Sequence, residues 1–236
     1  MFKVLTEDDK ISDVAIVTSG VFQDGASSIT TFHTSSTQYT NTGDYNVDVY
    51  RYDPGTNTSA SVQFGVAYGH AEGSASLGLP GTAGDRTTAA VFGQFNNMIN
   101  PPQTQRFKFS GLTDVKQVYA LTFNRARIRE SLEPGGWEIH INDGAHTVKL
   151  IDDSSTNVGG NTDQRNFSPE YNIVSGTLIN GTTVNTTATG EGSTIGSYGL
   201  FYPSLGTLIF NPIRLQNAPL NLITKSGSNS DDRNAR

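Results

Sequence analysis

Apolar residues recur at every second position in several short runs of this chain, a period that predicts half-buried strands joined by polar turns. The clearest pair is Tyr45-Asn-Val-Asp-Val-Tyr50 and Val62-Gln-Phe-Gly-Val-Ala-Tyr68. Tyr45, Val47 and Val49 share one face of the first run, and Val62, Phe64, Val66 and Tyr68 share one face of the second. Asp53-Pro-Gly-Thr-Asn-Thr between them supplies the turn. A second hairpin is predicted from Trp137-Glu-Ile-His-Ile and Thr147-Val-Lys-Leu-Ile around Asn142-Asp-Gly-Ala. A third lies in Ser197 to Pro212, two apolar runs broken at Pro203 and Gly206.

Further strands are expected at Val14-Ala-Ile-Val-Thr, Arg106-Phe-Lys-Phe, Val118-Tyr-Ala-Leu-Thr-Phe and Tyr171-Asn-Ile-Val-Ser-Gly-Thr-Leu-Ile. One helix is predicted after a cap at Asp85, with Phe92, Phe95 and Ile99 on one side and Pro101-Pro102 as the stop. Arg125 to Leu132 reads as a short helical turn ended by Pro134-Gly-Gly. Residues 23–43, with Phe22, Ile29 and Phe32 as isolated apolar pins, read as a loop, and Gly181 to Gly196 as a Thr/Gly loop.

Together these elements predict a mainly β fold: an antiparallel sheet or sandwich-like domain with long loops and one or two short helices. No fixed-period repeat interrupts it. The expected organisation is an N-terminal arm and loop over 1–43, a β-rich core over 44–212 and a C-terminal extension over 213–236.

Composition narrows the partners. Of the 236 residues, 35% are hydrophobic and 16% charged, and Gly, Ser, Thr and Asn dominate the remainder, which disfavours an all-helical chain. The net charge of -6 gives no basic field for nucleic acid. No segment approaches the roughly 20 consecutive apolar residues of a membrane-spanning helix, and Met1 to Lys10 turns acidic before a secretory leader develops. The absence of Cys removes disulfides and thiolate metal sites and suits assembly in a reducing cytoplasm.

No pattern points to a catalytic, metal or cofactor site. His140 and His146 flank the Asn142 turn near Asp143, short of the three placed ligands a zinc site uses. Glu130, Glu133 and Glu138 surround Trp137, the residue types of a glycosidase, which needs a carboxylate pair converging across a cleft. A solvated turn beside the arginines is the plainer reading of Glu130 and Glu133. Gly78 to Arg86 lacks the Lys-Ser/Thr of a phosphate loop, and no Gly-x-Ser-x-Gly elbow occurs. Arg125, Arg127 and Arg129 form the one local basic cluster, suited to carboxylates of a neighbouring subunit or to Glu130 and Glu133.

Several blocks resemble a structural protein of contractile-tailed phages of the cyanophage group. They are Tyr45-Asn-Val-Asp-Val-Tyr with Val62-Gln-Phe-Gly-Val-Ala-Tyr-Gly-His, Val118-Tyr-Ala-Leu-Thr-Phe-Asn-Arg-Ala-Arg, Leu132-Glu-Pro-Gly-Gly-Trp-Glu-Ile, Tyr171-Asn-Ile-Val-Ser-Gly and Tyr198-Gly-Leu-Phe-Tyr-Pro. The resemblance covers about residues 44 to 212 and implies a non-enzymatic virion component of the tail or baseplate, assembled in the host cytoplasm. Its implied partners are other virion proteins, including copies of itself, with no cofactor. Members of that family continue into a further domain, whereas this sequence stops after Ser226-Gly-Ser-Asn-Ser-Asp-Asp-Arg-Asn-Ala-Arg. The residues expected at subunit contacts are Phe22, Phe32, Arg125, Arg127, Arg129, Asp231, Asp232 and Arg233. Two other readings stand beside this one: a host-glycan adhesion module using Trp137, Tyr50 or Tyr52, and a head or neck decoration protein.

Overall fold

The computed structural model describes residues 17–18, 20–35, 46–73, 87–100, 107–110, 112–157, 160, 169–179, 182–187, 196–217 and 219–220. The protein is mainly β. In chain order the strands are β1 (Val17–Thr18), β2 (His33–Ser35), β3 (Asn46–Tyr50), β4 (Val62–His70), β5 (Gln117–Phe123), β6 (Ser131–Leu132), β7 (Ile139–Asn142), β8 (Thr147–Asp152), β9 (Tyr171–Ile179), β10 (Thr182–Thr187), β11 (Gly199–Tyr202) and β12 (Thr207–Phe210). Helix α1 spans Thr88–Ile99 and α2 spans Pro212–Gln216.

Ten strands form one antiparallel sheet in the order β2-β3-β4-β5-β12-β11-β9-β8-β7, with β10 also paired to β9. The hairpin β11–β12 is therefore inserted between β5 and β9, although it follows both in the chain. Strands β1 and β6 make a separate two-stranded parallel ribbon.

The alternation within the central strands divides the core in two. From β5, β11 and β12, the residues Leu121, Phe201, Leu208 and Phe210 point into one apolar cluster with Leu150, Tyr171 and Ile173. Their neighbours Val118, Ala120, Leu200, Tyr202 and Ile209 point into the other, with Phe92 and Ile99 of α1 and with Phe107 and Phe109. Every residue of β11 and β12 is buried, as expected of strands covered on both faces. The helix lies close on β4: a side chain at Gly69 would place its Cβ 2.8 Å from the Phe92 amide nitrogen.

The three predicted hairpins form, β3 with β4, β7 with β8 and β11 with β12. The last turns through a short 3-10 segment, Pro203–Leu205, which ends at Gly206 with φ 61° in the left-handed region. Other expectations are corrected. Residues 182–187, read as part of a loop, pair with β9, and residues 33–35 extend the sheet beside β3. Backbone pairing to an existing strand decides both, without any apolar alternation.

Phe107 and Phe109 are buried at i and i+2, yet instead of joining the sheet they close a tight turn in which Phe109 and Leu112 exchange backbone hydrogen bonds across Ser110, φ 33°. The helical turn expected over residues 125–132 covers only Arg125–Arg127 as a 3-10 turn, and Ser131 and Leu132 are strand β6. Helix α1 starts after Thr87, not at the predicted cap Asp85, which lies outside the described residues. The sheet and its core extend past residues 44–212 in both directions, through β2 and through Leu215 and Leu220 of the first cluster.

Candidate interaction surface

The polar residues at the β3–β4 turn end of the sheet are tied into one network. Gln63 of β4 is 1% exposed, and an amide side chain so buried needs partners. Its Oε1 accepts the backbone N–H of Gln23 at 2.6 Å, and its neighbour Ser61 donates to Gln23 Oε1 from both N–H and Oγ. Arg127 Nη2 in turn donates to Ser61 Oγ at 2.6 Å. Arg51 closes the other side by donating to the Gln23 carbonyl, so contacts run continuously from Arg51 through Gln23 and Ser61 to Arg127.

The segment carrying Gln23 turns through a left-handed residue. Asp24 has φ 61°, an uncommon left-handed conformation for a residue with a side chain. Its carboxylate accepts from Tyr52 Oη at 2.7 Å and lies 3.9 Å from the Arg51 guanidinium, which itself sits 5.4 Å from the centre of the Tyr52 ring. That hydrogen bond to Asp24 is the largest cause holding the Tyr52 hydroxyl above its usual pKa. Asn124 braces the neighbouring turn: its side chain donates to the Val62 carbonyl and accepts from the Ala126 N–H.

This end gathers most of the described residues expected at subunit contacts. Phe22 is half-buried against Phe123, with ring centres 6.0 Å apart, and so serves the fold more than the surface. Phe32 is 58% exposed, one position before His33, which pairs with Tyr50. Arg125 is exposed and donates to the Ile128 carbonyl. No carboxylate pairs with Arg125 or Arg127 among the described residues, whereas exposed Arg129 has a partner. Asp231, Asp232 and Arg233 lie outside the described residues. The sequence left Arg51, Gln23 and Gln63 unmarked, because a buried glutamine inside an alternating strand looks like any outward polar residue.

The other candidate chemistry is dispersed. His140 pairs across the hairpin with Lys149, and its Nε2 meets Glu138 Oε1, while His146 lies 3.4 Å from Asp143. Each histidine thus has its own carboxylate, and among the described residues no group of three or more acidic, His or Cys side chains converges on a metal position.

Burial would raise the Glu138 pKa, but the His140 contact, the Leu178 N–H, the Thr177 hydroxyl and Lys149 together bring it down to about 2. A carboxylate so held is a poor proton donor near neutrality. Here it ties β7 to β9. Trp137 is half-buried and meets Phe201 in an edge-to-face contact, ring centres 5.4 Å apart and planes at 69°. Asp152 and Asp153, both buried, accept from the N–H groups of Gly135, Ser154 and Asn172 and so join loop to strand.

The chain matches no protein-family model, no curated protein and no solved structure.

Proposed function

We propose that this protein is a non-enzymatic structural subunit of a phage virion, assembling into the tail or baseplate through contacts with neighbouring subunits. The observation that carries the reading is the surface at the β3–β4 turn end. It exposes Phe32 next to Arg51 in the strand register, and Arg51 and Tyr52 are fixed by bonds within the protein. Aromatic and arginine side chains held in place before contact are the residue types that dominate protein interfaces.

A second support is the location of the blocks that resemble the cyanophage structural proteins. They fall on β3, β4, β5, β9 and β11 and on the loop before β7, which makes the likeness one of framework. Buried carboxylates in this framework hold backbone N–H groups, the use expected in a scaffold.

Purified contractile-tailed particles, from a phage whose genome encodes this sequence, should carry the protein in stoichiometric amount and bind gold-labelled antibody on the tail. Label confined to the head moves the protein to the decoration reading. Particles that lack it, with the protein abundant in the free lysate, refute the proposal.

A further inference from the structure

The two arginines of the 125–127 turn are unusual within this acidic chain. Arg127 uses Nη2 on Ser61 Oγ, yet its Nε is buried without an acceptor, and Arg125 spends Nη1 on a carbonyl. Neither faces a carboxylate among the described residues, although acidic residues outnumber basic ones, 22 to 16. A guanidinium carries five donors in a planar fork that matches a carboxylate. Arg125 is exposed and Arg127 half-buried, and each is anchored at one end by the protein, so docking an anion costs them little rotational freedom.

We infer that this turn, with the Arg51–Tyr52 pair and Phe32 alongside, docks an acidic segment of a neighbouring protein subunit. Carboxylates of that segment meet Arg125 and Arg127, and an apolar side chain covers Phe32. Charge complementarity selects this occupant: the local cations lie on a protein of net charge -6, so a strongly anionic polymer is repelled by the whole molecule while a short acidic segment meets only the turn. The inference rests on the reading of the protein as an assembling subunit and names the chemistry of its partner.

The test uses the full chain and a fluorescein-labelled peptide of alternating glutamate and phenylalanine, with the lysine–phenylalanine peptide as control. Fluorescence anisotropy should show the glutamate peptide binding, weakening as salt is added. Replacing both arginines, Arg125→Gln with Arg127→Gln, should raise Kd about ten-fold or more, whereas Lys149→Gln on the far hairpin leaves it unchanged. The single Arg125→Gln variant guards against misfolding, because that exposed side chain gives up only one bond to a carbonyl, and it should still weaken binding several-fold. Equal affinity in wild type and variants overturns the inference. So does binding of sulfated dextran in place of the peptide, which marks a polysaccharide site. Particles that contain the protein while the peptide fails to bind leave the structural role standing and remove only this docking site.

Discussion

Two hairpins of the same sheet are held by opposite means. In β11–β12 every residue is buried, and successive side chains feed two apolar clusters on opposite faces of the sheet. At the turn end of β3–β4, Gln23, Ser61, Gln63, Arg51 and Arg127 bond to one another, and the surrounding surface remains open to solvent. Apolar contact has no direction, so the first hairpin needs only the right volumes. Hydrogen bonds fix angles, so the second holds half-buried Arg51, Tyr52 and Arg127 in one arrangement. Stability is concentrated in the one, and the proposed contact surface lies at the other.

The strongest way to break this contrast is Phe201→Ala. Phe201 is wholly buried between Trp137 and Tyr171, and its loss should cost about 3–5 kcal/mol, read from the shift in urea midpoint. A cost below about 1 kcal/mol would mean that the central hairpin is not the seat of stability. Gln63→Leu attacks the other end: it keeps the volume but strands the Gln23 N–H, and should cost about 1–2 kcal/mol. Its larger expected effect is on the surface, as faster hydrogen exchange at residues 22–26 with the β11–β12 amides unchanged. Equal acceleration in both places would erase the distinction.

Acid sharpens the comparison from a third region. Glu138 has a folded pKa of about 2, below its ordinary 4.5, so its contribution is complete above about 4.5 and is lost as the pH falls toward 2. Burial raises the Asp153 pKa, Asn172 partly opposes it and the Asp152 charge adds to it, so protonation of Asp153 favours the folded state and works against the Glu138 loss. In urea titrations between pH 5 and pH 3, wild type should lose more stability than Glu138→Gln, because the variant has no such carboxylate to protonate. Parallel loss in the two proteins contradicts the role given to Glu138. The smallest effect on stability belongs to Phe32→Ser, within about 0.5 kcal/mol for an exposed side chain. A larger loss would show that Phe32 supports the fold and is not kept for a partner.

The contrast also explains what could be read in advance. Alternation and turn residues are enough for β3, β4, β7 and β8, because burial on one sheet face leaves a period of two, while β11 and β12, buried on both faces, are marked by apolar runs broken at Pro203 and Gly206. Strand β10 is Thr/Asn-rich and β2 is three residues at an edge, and both are held by backbone pairing, which leaves no such mark. Phe107 and Phe109 show the reverse case, a true burial signal in a segment that joins no strand ladder. At the candidate surface, Phe32 stands out as an isolated apolar residue and Arg125 and Arg127 as part of the one local basic cluster. The bonds that link Arg127 to Arg51 through Ser61 and Gln23 join positions 66, 38 and 28 residues apart, a proximity that only the folded sheet creates.

The place of β11–β12 within the sheet has a consequence for how the chain becomes a protein. As synthesis proceeds, β2–β5 and β7–β9 leave the ribosome while the pair that will join them is still unmade. Until it arrives, β5 presents an unpaired edge over Tyr119–Thr122 and β9 over Tyr171–Ile173, the kind of template on which chains stick to one another. The closing step must also wait for contacts between segments far apart in sequence, which slows it. The keystone of this sheet is set late, and the interval before it is the chain's period of greatest exposure to misassembly.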